Sequence, residues 1–169
     1  MLTVGSQLPA VTVYEYNAVE GEGCPIGPAP VDVRTAAQGK TIALFALPGA
    51  YTPTCSAKHL PGYVVQAHAL REAGVDEIWC LSVNDAFVMH SWGREQGATD
   101  VIRMLGDGSA SFTQAAGLEL DLTAKGMGVR SQRYAALVVD GVVKVLHVEA
   151  PGQFDVSSAD SLLAAIRAQ

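Results

Sequence analysis

Cysteine is scarce. Three residues, Cys24, Cys55 and Cys80, occur in 169, and no pair has C-x-x-C spacing. An odd, widely spaced set excludes a disulfide scaffold and a cysteine-based structural zinc site. The four histidines, His59, His68, His90 and His147, form no H-x-x-x-H or H-E-x-x-H pair, so no metal site is expected. Positive charge is also short: eleven Lys and Arg against seventeen Asp and Glu leave a net charge of −6. That balance argues against nucleic acid or an anionic membrane surface as partner. No apolar run approaches the ~20 residues of a membrane helix. Met1 to Ser6 holds no basic residue and no apolar export core, so a cytoplasmic location is expected. In a reducing compartment the thiols stay free, and each is either core filler or chemistry.

Hydrophobic residues make up 49% and charged residues 17%, which excludes a disordered chain. The length suits one domain over 1–169. Val11–Tyr16 alternates weakly and suits a strand or a hairpin arm, the apolar runs Thr41–Leu47 and Glu77–Val83 predict buried strands, and Val101–Leu105 predicts a third. Leu60, Tyr63, Val64, Ala67 and Leu70 recur at helical spacing, with Gly74 as the stop. Asn84-Asp85 offers a cap for a helix over Ala86–Glu95, and Ser109–Ala116 predicts a short one. Tyr134–Val139 and Val142–Val148 flank Asp140-Gly141, a type I′ hairpin signal. A last helix is expected over Ala159–Ala168, with Ser157-x-x-Asp160 as a capping box. Asn17–Pro30, rich in Gly and Pro, reads as a loop. This order predicts an α/β fold whose central mixed β-sheet, flanked by helices, is parallel at the centre and antiparallel at one side.

Chemistry concentrates in Pro48-Gly-Ala-Tyr-Thr-Pro-Thr-Cys-Ser56, where a buried strand gives way to a helix. Ligands of open α/β sheets bind at such strand ends. Pro53 suits a first helical turn and Thr52 suits the cap, so Cys55 falls where the helix dipole favours a thiolate. The spacing of Thr52 and Cys55 lets the hydroxyl reach the sulfur or its substrate. The alternative is a small buried cysteine behind a capping threonine.

Pro48-x-x-x-Thr52-x-x-Cys55 resembles the active-site motif of the peroxiredoxins. The stretch from Pro48 to Tyr63, with Cys80–Phe87, Trp92-Gly93, Arg133-Tyr134 and Asp140–Lys144, resembles the type-5 (atypical) subfamily nearly throughout. The resemblance implies a thioredoxin-like fold and a thiol peroxidase acting on hydrogen peroxide and organic hydroperoxides, with no bound cofactor. It makes Cys55 the peroxidatic cysteine, with Thr52, Pro48 and Arg133 as catalytic partners; Gly49 joins Thr52, Cys55 and Arg133 in binding peroxide. Arg130 is the second choice for the arginine. A homodimer is implied, with aromatic surface around Tyr51, Phe87 and Trp92 as a candidate interface.

Acidifying a thiol from about 8.5 to about 6 gains at most ~30-fold in thiolate at pH 7. Stabilisation of charge on the leaving oxygen must supply the rest, and Arg133 suits that role. His59, four residues beyond Cys55, either packs and hydrogen-bonds or, as an imidazolium, supports the thiolate. Pro61 is expected to break or kink the helix one turn on. Gly152–Ser158, where some type-5 members carry a resolving cysteine, has none. Cys80 reads as core, and Cys24 in the Gly/Pro loop is the candidate internal resolver. The leading expectation is a one-cysteine cycle recharged by an external thiol, glutathione with glutaredoxin or thioredoxin. A peroxide-sensing thioredoxin-like module that passes oxidation to a partner protein is the alternative. A cysteine hydrolase would need a His base oriented by Asn or Asp, and the scattered histidines offer none.

Overall fold

The computed structural model describes residues 1–17 and 27–169. Along those residues run β1 (Thr12–Asn17), β2 (Gly27–Asp32), α1 (Val33–Ala36), β3 (Thr41–Ala46), α2 (Leu60–Glu72), β4 (Glu77–Ser82) and α3 (Ala86–Glu95). They are followed by β5 (Arg103–Gly106), α4 (Ser111–Ala116), β6 (Glu119–Leu122), β7 (Gly128–Ser131), β8 (Tyr134–Val139), β9 (Val142–Val148) and α5 (Ala159–Arg167). A π-turn, Cys55–His59, leads into α2.

Seven strands form one sheet in the order β2-β1-β5-β4-β3-β8-β9. β3, β4 and β5 are parallel, and antiparallel strands flank them on both sides rather than one. The second antiparallel flank starts with β1, antiparallel to β5, and is extended by Gly27–Asp32, a strand and not the loop its prolines suggested. It lies at the sheet edge, opposite β1. An edge strand leaves half its N–H groups unused, so Pro28 and Pro30 cost no ladder bond there. A separate hairpin, β6-β7, carries no apolar run and was not anticipated.

Alternating side chains of the central strands go to two cores. Ala43, Phe45, Leu47, Ile78, Cys80 and Leu137 face α2, α3 and α5. Ile42, Leu44, Ala46, Trp79, Leu81 and Tyr134 face Leu2, Leu8, Phe112 and α1. Strands buried on both faces read as continuous apolar runs, which is why β3 and β4 stood out. Asp140 (φ 48°) and Gly141 (φ 75°) both take positive φ, the type I′ requirement. Ala110 sits at φ 56°, so α4 starts at Ser111 instead of Ser109. The cap of α5 is Ser158, whose Oγ accepts from Ser161 N–H, in place of the Ser157 capping box.

Strand register gathers distant residues at one end of the sheet. Ala46 at the end of β3 pairs with Tyr134 at the start of β8, and Tyr134 pairs with Val148 at the end of β9. The next residues outward, at Leu47-Pro48, Arg133 and Glu149, therefore lie together there.

Candidate active site

β3 is buried from Ile42 onward and ends at Ala46, and the chain leaves it through Pro48-Gly49. Asn84, one loop beyond β4, accepts Ala50 N–H (2.9 Å) and Ser82 Oγ–H (2.8 Å) at Oδ1, pinning that loop to the neighbouring strand end. Gly49 leaves little room for a side chain here. A Cβ would lie 3.2 Å from Thr52 Cγ2 and 3.3 Å from Arg130 Nη1.

Thr52 is not a side-chain cap. Its hydroxyl donates to Gly49 C=O at 2.8 Å, folding the loop on itself. The oxygen keeps its lone pairs for an incoming donor. Ser56 N–H closes the first turn on Thr52 C=O at 3.0 Å. Trp92, entirely buried and so unavailable to an interface, donates its indole N–H to Ser56 Oγ at 3.1 Å. Tyr51 (50% exposed) and Phe87 (52%) remain at the surface.

Pro61 neither breaks nor ends the helix: it occupies the first turn of α2, which runs on to Glu72. The preceding residues widen into the π-turn, and Leu60 N–H reaches back five residues to Cys55 C=O. Widening gives the proline ring room against the preceding carbonyl, and proline has no N–H to satisfy.

Cys55 is buried, with Arg133 Nη2 donating to its sulfur at 3.3 Å. Arg133 Nη1 donates to His59 Nδ1 at 2.9 Å. The acceptor role fixes the tautomer: the proton is on Nε2, which donates to Ser157 C=O at 3.0 Å. The imidazolium reading of His59 is thereby corrected. Burial, and then the Arg133 charge, push its pKa down to about 3. The ring lies among Phe45, Tyr63 and Phe154. Arg130 takes another place, donating to Met127 C=O and Val83 C=O.

Residues missed in the sequence complete this shell. Phe154 lies 5.7 Å from the Arg133 guanidinium carbon, a cation–π contact. Glu149, 7% exposed, accepts at one oxygen, Oε1, from the N–H groups of Asp155, Val156 and Ser157 and from Ser157 Oγ, each at 2.8 Å. Burial opposes its ionisation, but these bonds outweigh burial and hold the carboxyl below its usual range. Only the hairpin register, which no single segment displays, could have drawn Glu149 to this site.

Pro48, Thr54 and Arg133 open onto a cavity of about 540 Å³, walled by Leu120, Leu122 and Pro151. Cys80 is buried in mid-strand, and burial pushes its thiol well up, as suits core. Cys24 lies outside the described residues.

The Redoxin family profile matches residues 3–163. Peroxiredoxin-2C of Arabidopsis thaliana is 47% identical over 98% of both chains. Peroxiredoxin-2E of the same plant is 47% identical over 98% of this chain and 69% of its own. This chain is a peroxiredoxin. Its fold is the thioredoxin-like one expected, and its activity is that of a thiol-dependent peroxidase. Prx3 of Vibrio vulnificus, reduced and in complex with hydrogen peroxide, superposes with a TM-score of 0.90 at 49% identity, covering 98% of this chain and 99% of the other. Peroxiredoxin 5 of Alvinella pompejana gives 0.84 at 31% over both whole chains. Both Arabidopsis relatives carry type-2 names.

Proposed function

We propose that residues 1–169 form one peroxiredoxin domain that reduces hydrogen peroxide and organic hydroperoxides at Cys55, in a one-cysteine cycle. The observation that carries this reading is the Arg133 fork, one arm on the Cys55 sulfur and the other held by neutral His59. The Cys55 thiolate attacks one peroxide oxygen. The S–O bond forms as the O–O bond breaks; sulfur loses two electrons and the peroxide gains them. The leaving hydroxide or alkoxide takes a proton, and Cys55 is left as a sulfenic acid.

Each neighbour has a role in that step. Arg133 follows negative charge from sulfur to oxygen with fixed N–H donors. Thr52 Oγ accepts the peroxide hydrogen, because its own proton is committed to Gly49 C=O. The N–H groups of Thr54 and Cys55 precede the first helical bond and suit an approaching oxygen. Gly49 lets the loop fold that closely, and Pro48 shields the cavity side.

Cys80 is a poor internal resolver because it is sealed in the core. Two thiol equivalents from an external reductant, glutathione with glutaredoxin or thioredoxin, then return Cys55 to the thiol: the first forms a mixed disulfide and releases water, and the second displaces Cys55 and leaves the reductant as a disulfide. The type-5 assignment rests on the motif blocks and on the likeness to peroxiredoxin 5. Homodimerisation fits Tyr51 and Phe87 at the surface.

Peroxide turnover with each reductant system tests the reading. Wild type and C24S should turn over alike, and C55S should be inactive. Turnover surviving in C55S would sink the site; turnover lost in C24S would make Cys24 the resolver. One oxidation per chain without sustained consumption would instead indicate a sensor.

A further inference from the structure

We propose that Glu149 is a positioning residue for Arg133, acting through the strap 154–157. The inference rests on the peroxidatic pairing of Cys55 with Arg133 and extends it to a residue that never touches the sulfur. Glu149 follows β9, directly across the register from Arg133, and its N–H donates to Arg133 C=O at 3.0 Å. Its side chain reaches to the strap. One carboxylate oxygen gathers three consecutive backbone N–H groups and the Ser157 hydroxyl.

The cluster has a directional consequence. With the N–H groups of Asp155, Val156 and Ser157 bound to Glu149, Ser157 C=O is presented to the π-turn and α2. It accepts there from His59 Nε2–H (3.0 Å) and Tyr63 Oη–H (3.1 Å). The first bond holds the tautomer that leaves His59 Nδ1 free to accept from Arg133. The same strap carries Phe154 beside the guanidinium. Two links, one polar and one aromatic, thus run through the one strap from Glu149 to the arginine. A negatively charged group buried to this degree persists only when donors surround it, and here the donors belong to the strap alone. Releasing them frees both links at once.

The experiment compares wild type, E149A, E149D and E149Q, with L70A as a core-destabilised control and C55S as the inactive reference. Two rates are read. One is oxidation of reduced protein by hydrogen peroxide. The other is iodoacetamide alkylation of Cys55 at pH 6 divided by that at pH 10, a ratio that needs no peroxidase activity. E149A should oxidise at least tenfold more slowly, and its alkylation ratio should drop at least fivefold. E149D, one methylene short, should fall between E149A and wild type, and it serves if E149A does not fold. E149Q keeps an oxygen for the strap and should recover to within about threefold of wild type. L70A should lower Tm and leave the alkylation ratio alone. An alkylation ratio equal to wild type in E149A and E149D overturns the inference, as does E149Q no better than E149A. If wild type itself consumed no peroxide, the peroxidase reading would fail while the alkylation ratio still decided the role of Glu149.

Discussion

Thr52 and His59 each do something at this site that their residue type alone leaves open. The Thr52 hydroxyl donates to Gly49 C=O and is oriented by that bond, so what it offers a substrate is a lone pair. Serine keeps the oxygen and valine keeps the shape. T52S should retain peroxidase kcat/KM within several-fold and T52V should lose on the order of 10²-fold, the scale of removing one oriented polar group from a transition state. Equal rates for the two variants would remove the hydroxyl from the mechanism. His59 is held neutral by burial first and by Arg133 second, with a folded pKa of about 3. The unfolded chain gives it an ordinary value near 6.5, so between those limits unfolding takes up a proton. Stability therefore rises with pH across that window, by at most about 1.4 kcal/mol per pH unit. Carboxylates add to the slope only lower down. Urea midpoints between about pH 5 and 6.5 should climb in wild type and climb less steeply in H59Q, where His90, its pKa also lowered by partial burial, leaves a smaller slope; equal slopes would mean that His59 is charged in the folded protein.

At the scale of elements, the site is made by strand ends. β3 delivers the Pro48–Cys55 turn, β8 begins one residue after Arg133, and β9 stops one residue before Glu149. Their antiparallel pairing brings positions distant in sequence into one row. β4 and β5 support that row from the other side, because the Asn84-Asp85 loop packs directly on Gly106. A Cβ on Gly106 would come within 2.8 Å of Ala86 N, Asn84 O and Asp85 C, all backbone atoms that cannot swing aside. G106A should cost about 1–3 kcal/mol in urea unfolding, the usual range for overpacking. Activity should fall with it, since Asn84 also holds Ala50 N–H. An unchanged midpoint would mean that the loop yields freely. The π-turn belongs to this scale as well, because it lets Pro61 sit early in α2 while Cys55 stays on the Arg133 side.

At the scale of the molecule, helices cover both faces of the sheet, and nine large apolar side chains among the described residues are left exposed. Among them, Tyr51 is anchored by its hydroxyl to Ser91 and Glu95 of α3, the helix that also bears Phe87. Two exposed aromatics on one side suit a partner surface better than chance solvent exposure. Sedimentation equilibrium should give twice the chain mass for wild type and the single mass for F87E. A wild-type monomer would remove the dimer from the proposal.

Part of this was legible without coordinates. Residues 41–47 and 77–83 announce buried strands by apolar content, Asp140-Gly141 announces its turn by φ preference, and the Pro-Thr-Cys order picks out the thiol that the fold places beside Arg133. These signals are local, and local preference survives folding where packing agrees with it. Gly27–Asp32 failed as a loop because the tolerance of its prolines depends on being at an edge, a property of the sheet and not of the segment. The π-turn, the neutral state of His59 and the reach of Glu149 to Arg133 were decided by tertiary structure alone. Each depends on which groups from distant parts of the chain meet away from water, where hydrogen-bond partners set charge and tautomer.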